Sequence, residues 1–217
     1  MRRRAVVFDC DGTLISSMEI VLQGLRQIFS EFLKREISFQ EVEGFFHPQV
    51  EVIFSRLGIK DELTKKKLWK RWEVLTAHGK HRYKLFPGIN TLLEELLGKG
   101  YELYVWTARD RKSSEEILSD LGVMGHFDGM RCADDCTPKP SPQGLYELLP
   151  DICKEDVIVI GDSYADIQGA NDFGCASIGA IWCRLASKEA LKGLGANYIC
   201  AKVEDCLGLI EDYFYNQ

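Results

Sequence analysis

Carboxylates and a hydroxyl stand along this chain where short apolar runs end. Ala5-Val6-Val7-Phe8 leads straight into Asp9-Cys10-Asp11-Gly12-Thr13, Tyr104-Val105-Trp106 into Thr107, and Ile158-Val159-Ile160-Gly161 into Asp162. Two carboxylates at the carboxyl end of a parallel strand sit where open α/β sheets bind their ligands. Gly12 permits a tight turn that a side chain would obstruct. Asp166, four residues after Asp162, faces the same side of the helix that follows. Polar groups at successive strand ends describe one convergent ligand site. Each residue also has a plainer reading. Asp9 and Asp11 could form a turn and a cap, Thr107 and Asp162-Ser163 could cap helices, and Lys139, between Pro138 and Pro140, could be a solvated loop lysine.

The elements that must hold these residues follow from the hydropathy pattern. Ala5–Phe8, Leu103–Trp106, Val157–Ile160 and Ser177–Ile181 are apolar on both alternating faces, as central parallel strands covered above and below must be. Between them, Ile89, Leu92, Leu93, Leu96 and Leu97 form one helical stripe, stopped by Gly98 and Gly100. A second helix is expected over Ser113–Leu121, closed by Gly122. Strand and helix in alternation predict an α/β fold, a Rossmann-like doubly wound parallel sheet.

One stretch breaks the alternation. Residues 16–83 show helical periodicity and no convincing strand. Ile20, Val21, Gly24, Leu25, Ile28, Phe29 and Phe32 make one apolar face. Leu63, Leu68, Trp69, Trp72 and Leu75 suggest another, with Lys65-Lys66-Lys67 and Lys70-Arg71 on its wet side. A crossover needs far less chain. An inserted α-helical subdomain is therefore expected over 16–83, with the Rossmann-like core made by 1–15 and 84–217. Leu85-Phe86-Pro87-Gly88 marks the return.

The chain has 217 residues, 46% hydrophobic and 28% charged, and a formal net charge of -6. That sign argues against nonspecific nucleic-acid binding. The basic start, Met1 to Arg4, precedes an apolar run too short for a secretory signal, and no run is long enough for a membrane helix. The chain is therefore expected to be soluble and cytoplasmic, a monomer or small homo-oligomer, with no nucleic-acid or membrane partner. Its 8 cysteines read as reduced thiols, mostly buried; zinc at Cys132 and Cys136 is the minority reading.

Taken in order, Asp9-x-Asp11-Gly12-Thr13, Thr107, Lys139 and Gly161-Asp162-x-x-x-Asp166 resemble the four motifs of the haloacid dehalogenase-like hydrolases. The resemblance spans about Ala5 to Ile181. The helical insertion resembles the cap of the phosphoglycolate phosphatase and β-phosphoglucomutase branch, which closes over the site and sets specificity. The resemblance implies a Mg²⁺-dependent phosphatase acting on a small phosphorylated metabolite. Asp9 would be the nucleophile, ionised without prior deprotonation, and Asp11 the general acid and base. Asp9, the Asp11 carbonyl and Asp162 would hold Mg²⁺, supported by Asp166. Lys139 would offset charge, and the Thr107 hydroxyl and Ala108 amide would bind phosphate oxygens. The alternative is a sugar phosphomutase using the same aspartyl phosphate.

Two positions depart from that pattern. Ser16-Ser17 stands where the branch commonly has Asp-Ser, and Ala108 where it commonly has Asn. Arg109 and Asp110, just past Thr107, read as surface ion-pair residues, with substrate contact as the minority reading. His47, His78 and His81 are minority candidates for substrate contact in the insertion.

Overall fold

Six short strands, all parallel, lie in the order β3-β2-β1-β4-β5-β6. They are β1 (Ala5–Phe8), β2 (Glu102–Trp106), β3 (Gly129–Arg131), β4 (Val157–Gly161), β5 (Ala176–Ala180) and β6 (Tyr198–Cys200). The computed structural model describes residues 3–47, 50–77, 83–183 and 186–216. Right-handed crossovers through helices are what join parallel neighbours. Successive strands here are connected through α5 (Ile89–Gly98), α6 (Arg111–Asp120), α7 (Gln143–Leu148), α8 (Tyr164–Phe173) and α9 (Lys188–Gly193), with α10 (Cys206–Tyr215) last.

The sheet is buried on both faces because both alternating sets of side chains are apolar. Val7, Tyr104, Trp106, Val157 and Val159 pack with Leu145, Leu148, Ala170 and Phe173 on one side. Their neighbours Val6, Phe8, Leu103, Val105, Ile158 and Ile160 are equally buried. β1 and β4 are adjacent in register, Phe8 opposite Ile160. The chain order reverses between them, which opens a crevice at their carboxyl ends.

The chain divides into two compact units, one made of residues 1–16 and 84–217, the other of Ser17–Tyr83. In the first, the outgoing and returning segments are hydrogen-bonded: Ser16 N–H donates to the Lys84 carbonyl at 2.7 Å and Phe86 N–H to the Leu14 carbonyl at 3.0 Å. The second contains α1 (Met18–Leu33), α2 (Phe39–Phe45), α3 (Val50–Arg56) and α4 (Glu62–Ala77). Ser38 caps α2 by accepting from Glu41 N–H, while the Glu41 carboxylate accepts from Ser38 N–H at 3.0 Å. Such reciprocal capping satisfies donors the first turn leaves open.

The expected apolar face on α4 needs correction. Trp72 packs against α1, so close to Gly24 that a Cβ there would lie 3.0 Å from the indole ring. Trp69 and Leu63 instead remain 48% and 61% exposed. Periodicity identifies a stripe, but α1 covers only the Trp72 side of it.

Candidate active site

Asp9 follows β1 directly, held by its own N–H, which donates to the Ile160 carbonyl of β4 at 2.8 Å. The chain then turns through Cys10, whose carbonyl accepts from Leu14 N–H and Ile15 N–H, each at 2.9 Å. Gly12 lies inside this turn at φ +85°, and a Cβ on it would fall 2.1 Å from an Asp162 carboxylate oxygen. Glycine is therefore required both by the left-handed backbone and by the approach of the β4 loop. Trp182 Nε1 donates to the Thr13 carbonyl at 3.0 Å and braces the same turn.

Lys139 reaches this crevice from the loop before α7. Its Nζ donates to Asp9 Oδ1 at 2.8 Å and also to Asp166 Oδ1. The ammonium sits 4.6 Å from the centre of the Trp106 ring, a cation–π contact. Only 2% of the lysine side chain is exposed, so it is a buried counter-ion and not a solvated loop lysine. Asp166 is fixed in turn by Ser163, whose N–H and hydroxyl donate to Oδ2 at 3.0 and 2.6 Å. A Cβ on Gly161 would lie 2.2 Å from Asp166 Cγ, so this approach needs a glycine too.

Carboxylate oxygens of Asp9, Asp162 and Asp166 all fall within 4.8 Å of one another. Crowded, buried carboxylates resist ionisation together. Burial pushes Asp9 up to about 7; Lys139 opposes the rise, and Asp166 and Asp11 add to it. Burial, then the Asp9 and Asp166 charges, hold Asp162 well above the ordinary carboxylate range. Burial also disfavours the charge on Lys139, but Asp166 and Asp9 outweigh it and keep the ammonium protonated. With Asp11 and Arg109 included, the ionised cluster carries an excess of two negative charges. Hard oxygen donors with that excess suit a small divalent cation.

Thr107 follows β2 directly and is 3% exposed, and its hydroxyl accepts from Arg109 N–H at 3.1 Å. Ala108 lies between them in the same turn. Thr107 is therefore engaged with its own loop without capping the helix that follows, whose cap is Asp110, and it stands at the same edge of the sheet as Asp9.

Arg109 is the residue whose part the sequence reading understated. Its Nε donates to Asp11 Oδ2 at 2.8 Å and an Nη to Asp11 Oδ1 at 2.6 Å, a bidentate pair. The available signal was an arginine two residues past a polar strand end. Asp110 caps α6 by accepting from Ser113 N–H at 2.9 Å. His47 belongs to the other compact unit, and His78 and His81 lie outside the described residues. The carboxylates grouped with the Cys132 thiol are Asp134 and Asp135, while the Cys136 thiol donates to the Cys132 carbonyl at 3.4 Å. None of the cysteines is joined in a disulfide, and Cys10, Cys132, Cys175, Cys183, Cys200 and Cys206 are buried.

An open parallel sheet with polar groups gathered at its carboxyl edge, beside the point of reversal, is the core of an α/β enzyme. The model of the haloacid dehalogenase-like hydrolases matches residues 6–180, and the chain belongs to that family. Among curated relatives, a pyrophosphatase PpaX from Bacillus cereus (strain B4264) is 26% identical over 98% of both chains. A predicted phosphatase from Clostridium acetobutylicum superposes with a TM-score of 0.84 at 26% identity, covering 98% of this chain and 100% of its own. A haloacid dehalogenase-like family protein from Streptococcus pneumoniae gives 0.82 at 25% identity, covering 95% and 98%.

Proposed function

We propose that this hydrolase is a Mg²⁺-dependent phosphatase that cleaves a small phosphorylated metabolite through a phospho-aspartyl intermediate on Asp9. The observation that carries the reading is the Asp9–Lys139 contact of 2.8 Å beside the Asp162 and Asp166 carboxylates. An ammonium at a carboxylate nucleophile lowers the repulsion that an anionic phosphate would meet there. The family and the similarity to a pyrophosphatase and a predicted phosphatase support phosphorus as the centre attacked.

In this reading an Asp9 oxygen attacks phosphorus and the bond to the leaving oxygen breaks. Asp11 gives that oxygen its proton, then takes one from the water that attacks the acyl phosphate, so that free Asp9 and phosphate result. Lys139 holds and neutralises Asp9, and Asp166 fixes Lys139. The Thr107 hydroxyl and Ala108 amide bind phosphate oxygens. Asp9, the Asp11 carbonyl and Asp162 are the proposed Mg²⁺ ligands, with Asp166 in support. Mg²⁺ would offset the charge of the phosphate. The inserted residues 16–83 are proposed as the cap subdomain, with choice of leaving group as their role.

The test is phosphate release from a panel of phosphate esters, pyrophosphate and nucleotides, with Mg²⁺ and with chelator, by the native chain and Asp9→Asn. Release that needs the ion and falls at least about a thousandfold in the variant supports the reading. Release that persists in Asp9→Asn would overturn the proposed intermediate.

A further inference from the structure

Of the two cations described at this site, Arg109 is more accessible to an incoming anion than Lys139. Lys139 is 2% exposed and shared between Asp9 and Asp166, whereas the side chains of Arg109 and its partner Asp11 are 16% and 32% exposed. The guanidinium fork covers both oxygens of Asp11, at 2.6 and 2.8 Å. That is the carboxylate the proposed reaction needs at the leaving oxygen. The arginine backbone is anchored on both sides, N–H to Thr107 Oγ1 at 3.1 Å and carbonyl to Ala133 N–H at 3.0 Å. The backbone is thus held while the long side chain can change partner. A guanidinium fork fits carboxylate and phosphate alike. A second anionic group on the substrate would therefore compete with Asp11 for the same donors.

We propose that Arg109 is a specificity-determining residue: it receives a carboxylate or phosphate carried on the leaving group, and the exchange frees Asp11 to reach the leaving oxygen. The inference rests on the phosphatase reading and names its substrate class, phosphate compounds that bear a second anion. A neutral leaving group has nothing to exchange, so Asp11 stays bound to the guanidinium.

The test uses a matched pair of esters, 2-phosphoglycolate and 2-hydroxyethyl phosphate, which differ in the second anion. The full chain is assayed with Mg²⁺, native and as Arg109→Gln and Arg109→Lys. The native enzyme is expected to prefer the carboxylate ester by about 30-fold in kcat/KM, the scale of one charge-assisted contact. Arg109→Gln should bring that preference to within about 3-fold, by raising KM for the anionic ester and by raising kcat for the neutral one, because Asp11 is no longer held by the guanidinium; Arg109→Lys should fall between. Loss of both activities in parallel, or no native preference, overturns the proposal while the phosphatase reading stands. No release from either ester or from pyrophosphate by the native enzyme overturns both.

Discussion

Gly12 and Asp162 approach so closely that a Cβ on the glycine would lie 2.1 Å from a carboxylate oxygen of the aspartate. The contact joins the turn after β1 to the loop after β4, so the glycine sets the spacing of two carboxylates drawn from distant parts of the chain. Gly12→Ala must then displace one loop and also place an alanine at φ +85°, costing roughly 1–2 kcal/mol for the backbone alone. The expected result is a folded protein melting about 3–8 °C lower. Mg²⁺-dependent phosphate release should fall at least about a hundredfold. A variant with native turnover would show that this spacing is not needed.

Lys139 is buried between Asp9 and Asp166, and replacing it leaves those carboxylates without their ammonium. Removing one partner of a buried ion pair costs about 3–5 kcal/mol. Lys139→Met is therefore expected to melt roughly 10 °C lower in chelator near neutral pH. The deficit should shrink on acidification, because protonating Asp9 removes the uncompensated charge. Equal melting of native and variant protein in chelator would contradict the role of Lys139 as counter-ion.

The central strands and the site's carboxylates were legible because their signals are local. β1, β2 and β4 carry apolar runs on both faces, and the polar residues follow them directly; β5 is apolar except at Ser177 and leads into Ile181. β3 and β6 left no such pattern, being three-residue strands at the sheet edges. The order of strands was not legible either, since it is set by packing between distant segments. The same limit applies to Arg109 and Asp11, 98 residues apart, where the sequence sets both charges beside strand ends but does not give their pairing. Trp69 shows the converse: the periodicity was present, but among the described residues the ring stays 48% exposed.

The acidic cluster makes metal binding and pH act in opposite directions on the metal-free protein. Asp9 rises from 3.8 to about 7 on folding, through burial first, and Asp162 moves the same way. Between those values the native state holds more protons than the unfolded chain, so stability in chelator should fall as pH rises through about 7. Mg²⁺ needs the ionised carboxylates, so its affinity should increase over the same interval. Thermal melts at about pH 6 and about pH 8 check both signs. The Mg²⁺-induced increase should be roughly 5 °C or more at the higher pH, once the ion exceeds its Kd about a hundredfold. It should be much smaller at the lower pH. An equal increase at both would argue against Asp9 and Asp162 as ligands.

The thiols offer a test of the fold that is independent of the metal. Burial pushes the Cys132 thiol up to about 11 and Cys175 up to about 12. Burial, with the Asp11 charge next, raises Cys10 as well. At about pH 8 the thiolate fraction of Cys132 or Cys175 would then be on the order of one in a thousand or less. Cys153 is exposed on the loop before β4. Titration with a chromogenic disulfide should show Cys153 as the fastest thiol in the native protein, lost in Cys153→Ser, the half-buried Cys136 as a slower second, and all 8 after unfolding. Rapid reaction of several thiols in the native state would mean that the sheet does not seal Cys10, Cys132 and Cys175 from solvent.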